Sequence, residues 1–207
     1  MSSQQDERRQ FFRIDDSLSL GYRQISVDSL PASVERLENE LDSDFTVVSS
    51  LAAVSQEMMG TLHKIEASRP EIAAYLKSLD KKIDILGRAL LAQTTELLSK
   101  PTQSVNISAT GISFAVDEYI EPGAILELKI LLMPSYAGIL SFAEVVGCEP
   151  VEQDVNKPDK RYQLRTAFAH IRERDRDVLI QHVIQRQGAQ LRQAREAQEQ
   201  MQLEQKE

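Results

Sequence analysis

The sequence predicts an α+β fold: a small antiparallel β-barrel or sandwich, with a long helical region carrying a heptad repeat ahead of most of its strands and a C-terminal helix after them. Three observations predict it. Residues 104 to 170 hold short apolar runs of period two, separated by turn signals. Residues 71 to 98 hold apolar residues at alternating spacings of four and three. Aromatics make up only 5% of the chain and tryptophan is absent, so a core of any size must be aliphatic.

The elements follow in chain order. Residues 7 to 30 carry an arginine cluster and then "FFRIDDSLSLGYRQISV", whose spaced apolar residues supply one short strand. Residues 31 to 100 read as the helical insert. Pro31 suits a first helical turn, and Leu37 and Leu41 stand one turn apart. In the next run Leu51, Val54, Met58, Leu62 and Ile65 follow a helical repeat. "SRPE" then signals a new start, with Ser68 as N-cap and Glu71 completing a capping box. In the helix of residues 71 to 98, Ile72, Leu76, Leu79, Ile83, Leu86, Leu90 and Leu97 form an apolar seam with Gln93 at its polar position. Such a seam packs either on the chain's own core or on another copy. The strict alternation favours a self-associating coiled coil, and Pro101 ends the helix.

Residues 103 to 187 read as the barrel and its helix. The strand-like runs are "SVNIS", "GISFAV", "AILELKILL", "GILSFAEVV" and "RYQLRTAFAHI". In the last, Tyr162, Leu164, Thr166, Phe168 and His170 share one face, and Arg161, Gln163, Arg165, Ala167 and Ala169 the other. The helix near "DRDVLIQHVIQRQ" offers Val178, Leu179, His182, Val183 and Ile184 to cap the sheet. Residues 188 to 207 are a polar tail with too few apolar residues to pack firmly, which either extends that helix or frays.

The net charge of −8 argues against general affinity for DNA or RNA. A single cysteine, Cys148, excludes an intrachain disulfide and fits a reducing compartment, where a buried, inert thiol is expected. The polar start of the chain does not read as a signal peptide, and no apolar run approaches a membrane span, so a cytoplasmic location is expected. His63, His170 and His182 lack metal-ligand spacing and are read as structural or solvated. No P-loop, GxGxxG or GxSxG occurs, and no nucleophile pairs with a base. The expectation is a non-enzyme without cofactor or metal.

Two short stretches remain. Arg8, Arg9 and Arg13 put three guanidiniums in "RRQFFR"; alone they read as solvated surface charge, and Lys160, Arg161 and Arg165 repeat the pattern inside a strand. "NISATG" places Asn106, Ser108 and Gly111 at a junction between strands; alone it reads as a turn, with Gly111 at positive φ.

Together and in this order, Arg-Arg-x-x-x-Arg ahead of a barrel and Asn-x-Ser-x-x-Gly on an early strand resemble the PilZ domain family. The strand plan and the following helix resemble it too, over residues 7 to 25 and 103 to 187. The resemblance implies a receptor for the bacterial second messenger cyclic di-GMP. In it, Arg9 and Arg13 grip guanine and phosphate with Arg8 assisting, Asn106 and Ser108 bond the ligand, and Gly111 permits the close turn. Guanidinium suits both targets, through paired bonds to phosphate and to guanine O6 and N7. Two departures stand out: Asn106 where the family more often has Asp, and about seventy helical residues between motifs that usually lie a short strand and loop apart, an insertion the barrel can accept because loop-closure cost grows slowly with length. The insert resembles that of the atypical coiled-coil PilZ proteins of gammaproteobacteria, which implies a homo-oligomer, expected to be a tetramer, signalling to a partner protein. The alternative is a scaffold without nucleotide binding, whose helices carry out the function by protein–protein interaction.

Overall fold

The computed structural model describes residues 12–39, 43–94, 97, 101–133, 135–151 and 161–204. Six strands, β1 (Ile14–Ile25), β2 (Gln103–Ser108), β3 (Gly111–Val116), β4 (Ile125–Leu132), β5 (Ala137–Pro150) and β6 (Tyr162–Ile171), form a closed antiparallel barrel in the order β1-β2-β3-β6-β5-β4. Helices α1 (Leu30–Glu38), α2 (Ser43–Ser68) and α3 (Pro70–Thr94) separate β1 from β2, and α4 (Glu173–Glu204) follows β6.

β1 is twelve residues long rather than a short strand, because it serves two neighbours. Its first part, Ile14 to Leu18, pairs with β2, and its second, Ser19 to Ile25, pairs with β4. This division closes the barrel and leaves no free edge there. The period-two pattern then fills the interior: Leu18, Ile107, Ile112, Phe114, Leu128 and Ile130 are all fully buried. Register shifts at Phe142/Ala143 and Val145/Gly147 coil the long β5 around the wall.

A second apolar cluster lies on the outside of β4 and β5. Leu131, Leu140 and Phe142 point outward there and are covered by Leu37 of α1 and by Leu97. Pro31 occupies the expected first turn of α1, while Leu41 falls outside the described residues. Leu97 departs from the predicted seam. It lies beyond the last residue of α3, only 4% exposed, and its carbonyl accepts a hydrogen bond from the Ser19 hydroxyl. The helix ends before Leu97, so this residue serves the barrel wall and not the helical stripe. Ser68 departs as well. Its hydroxyl donates back to the Lys64 and Ile65 carbonyls at 3.1 and 3.3 Å, closing α2 instead of capping α3.

α2 and α3 form an antiparallel hairpin, bridged near its turn by Lys77 and Glu66. α4 plugs one end of the barrel with Val178, Leu179 and Val183, whereas Ile184, expected on the same face, is 55% exposed. The polar tail continues α4 as helix to Glu204. No described helix is long and apolar enough to cross a membrane.

Candidate ligand-binding face

Strand register assembles the candidate site on the outer wall. Asp15 pairs with Asn106, Asn106 with Ser113, Ser113 with Arg165, and Arg165 with Gly147. Directly paired residues point to the same side of a sheet. Their chain neighbours Ile14, Ile107 and Ile112 fill the interior, so this row faces outward across five strands.

At one end of the row, Arg13 Nη1 donates to Asn106 Oδ1 at 3.2 Å, and Asn106 Nδ2 donates to Asp15 Oδ1 at 2.7 Å. The amide orientation follows from the partners, because guanidinium only donates and an ionised carboxylate only accepts. In the middle, Gln163 Nε2 donates to Ser113 Oγ at 2.7 Å, and Ser113 Oγ donates to the Leu164 carbonyl at 2.8 Å. At the far end, Arg165 pairs with Glu149 at 2.5 Å.

The residues singled out by motif are thus placed unequally. Arg13 and Asn106 meet across 93 positions of chain. Arg8 and Arg9 lie outside the described residues. Ser108 is 1% exposed and its hydroxyl is held within its own turn, accepting from the Thr110 N–H at 3.3 Å and donating to the Gly111 carbonyl at 3.4 Å. Gly111 does not adopt the expected positive φ; among the described glycines Gly123 does. Its need is close approach: a Cβ there would stand 2.2 Å from the Thr166 carbonyl oxygen of β6.

Sequence reasoning missed Asp15 and Ser113 as part of this face. The alternation in β6 had put Gln163 and Arg165 on one side, but not beside Asn106. Register across distant strands is the missing information.

Beneath this face α4 grips β1. Asp16 turns inward and is buried, with its Oδ2 2.7 Å from His182 Nε2 and its Oδ1 2.9 Å from Arg186 Nε. Gln190 Nε2 donates to the Asp15 carbonyl at 2.8 Å. Burial pushes the Asp16 carboxyl up, but hydrogen bonds from Arg186, His182 and the Ser17 N–H together outweigh it and hold it below its usual value. Burial pushes His182 down, and the attraction of Asp16 offsets this only in part. His170 instead contacts Glu38 at 2.8 Å, and His63 Nδ1 the Met59 carbonyl at 2.8 Å. Cys148 is half-buried at the edge of the barrel core, not fully buried as expected. Among the described residues no three metal-ligating side chains gather.

Burial varies along the seam of α3. Leu76, Leu79 and Leu90 are half-buried, whereas Ile72, Ile83 and Leu86 are 39%, 41% and 69% exposed. α2 presents Val47, Leu51, Val54 and Met58 at spacings of four, three and four, all exposed. The hairpin therefore keeps an apolar face with no partner in the described chain.

The PilZ domain model matches residues 82–185. Among solved structures, a tetrameric PilZ-domain protein from Xanthomonas campestris, self-assembled through an unusual helical bundle, matches with TM-score 0.52. The identity is 16%, over 86% of this chain and 89% of that one. The Bacillus subtilis inhibitor of motility MotI/DgrA matches with TM-score 0.35 and 23% identity, over 42% of this chain and 41% of that one. No curated protein matches significantly.

Proposed function

The chain belongs to the PilZ domain family, a family of cyclic di-GMP receptors, and on that premise we propose that it binds cyclic di-GMP on the outer barrel face and signals as a cytoplasmic homo-oligomer. One observation carries the proposal. The two motifs, separated by the whole helical insert, meet in the Arg13–Asn106 hydrogen bond. The insertion leaves Arg13 and Asn106 on one face. Arg8 and Arg9 precede Arg13 by only a few residues in the sequence, and by motif they are proposed as further guanidinium donors to phosphate.

The exposed stripes of α2 and α3 support the oligomeric part. An apolar helical face of this extent gains stability by burial against another copy, and the Xanthomonas protein of like fold assembles through a helical bundle. A tetramer of hairpins is the proposed form. The signal route runs from β1, gripped at Asp15 and Asp16 by α4, to α2, which packs on α4, and from there to a partner protein.

One observation favours the scaffold reading: both polar ends of Asn106 are engaged by the chain itself, and Ser108 is buried. Calorimetric titration with cyclic di-GMP separates the two. Binding at micromolar or tighter Kd, greatly weakened in Arg9→Ala and Arg13→Ala, is expected. No heat from folded wild-type protein would leave the helical assembly as the function. Light scattering of Ile83→Glu and Leu86→Glu tests the assembly, with smaller species expected; unchanged molar mass would refute the helical interface.

A further inference from the structure

We infer that Asp15, which belongs to neither motif, is the residue that reads the guanine base and sets selectivity at this face. The inference rests on the cyclic di-GMP reading above and specifies which edge of the ligand meets which end of the row.

Donor and acceptor order along this face matches guanine. Arg13, Asn106 and Asp15 form a continuous array in which a single amide bridges a guanidinium and a carboxylate. One end of the array can only donate, and the other can only accept. Guanine carries the complementary order, with acceptors at N7 and O6 and donors at N1–H and the N2 amino group. Adenine does not, since its N1 accepts and its N6 donates. A phosphate cannot face the Asp15 end, because a carboxylate repels it and offers it no proton.

Asp15 is suited to this in place as well. It is exposed on the outer wall of β1, directly opposite Asn106. Only its Oδ1 is engaged by Asn106 in the contacts of this array, and an ionised carboxylate has about four acceptor sites. It can therefore hold Asn106 and still accept the paired N1–H and N2–H. Its main chain is pinned by Gln190 of α4, so the carboxylate is presented from a supported strand. Asn106 becomes the positioning residue that holds the two reading ends apart.

The experiment compares wild type with Asp15→Asn, titrated with cyclic di-GMP and with its inosine analogue, which lacks the N2 amino group. Asn at position 15 still accepts from Asn106, so the array survives while the second acceptor and the charge are lost. Wild type is expected to prefer cyclic di-GMP by about tenfold or more, the discrimination of one good paired contact. Asp15→Asn is expected to bind cyclic di-GMP at least about tenfold more weakly and to show nearly equal affinity for the two ligands. An unchanged preference in the variant, or a uniform loss for both ligands, would overturn the inference while leaving the receptor reading intact. A folded wild-type protein that binds neither ligand would overturn both together.

Discussion

Replacing Gly111 by Ala tests what this glycine is for. A Cβ at Gly111 would stand 2.2 Å from the Thr166 carbonyl oxygen and 3.2 Å from both the Thr166 carbonyl carbon and the Ala167 Cα. Even the close C–H···O contacts between strands keep carbon and oxygen about 3.3 Å apart. The methyl group therefore lacks about 1 Å, and the obstacle is backbone, which cannot swing aside as a side-chain tip can. β3 must move off β6 at the end of their ladder, where Gly111 faces Ala167. Overpacking of this kind costs about 1–3 kcal/mol, and a backbone obstacle belongs at the upper end. For a chain of this length that lowers Tm by about 6–12 °C. Two controls calibrate the result. At Gly60, inside α2, an added Cβ meets nothing within 4 Å, so Gly60→Ala should stabilise by about 0.5–1 kcal/mol. At Gly147 it meets the Arg165 Nη2 at 2.8 Å, a flexible tip, and Gly147→Ala should stay within about 0.5 kcal/mol of wild type. Thermal unfolding by circular dichroism at one fixed protein concentration measures all three, since assembly makes Tm concentration-dependent. A Gly111→Ala protein that melts with wild type would refute the steric argument and leave the ligand as the reason for glycine there.

The remaining predictions use the same assay. Leu97→Ala should cost about 2–5 kcal/mol, because Leu97 is buried against the barrel wall and packs over Gly21, whose added Cβ would meet it at 3.0 Å. A loss under about 1 kcal/mol would return Leu97 to the helical seam. Acid should destabilise in two stages. His182 is depressed from 6.5, so its contribution is present above pH 6.5 and is lost as pH falls through its lowered value; Asp16 is depressed from 3.8, so its contribution fades only below that. His182→Gln, which keeps a donor for Asp16, should flatten the fall in Tm between pH 7 and the acid range. An identical pH slope in that variant would assign the first stage elsewhere.

Local chemistry by itself determined most of the elements of this protein. Alternation of apolar and polar residues is a property of adjacent positions, so the five strand runs between Gln103 and Ile171 were legible without a fold. The same holds for α3 and α4, whose periodicity lies within single helices. The paired motifs were legible as a resemblance, but not their junction. Only tertiary structure decided that β1 divides its twelve residues between β2 and β4, because pairing partners lie about a hundred residues away and leave no local trace. The same register set Asp15 beside Asn106 and carried Arg165 into the row. Tertiary packing also split the seam of α3, drawing Leu97 onto the barrel and leaving Leu86 outside. Periodicity specifies that a face is apolar; what covers that face depends on parts of the chain that come together only in the folded molecule.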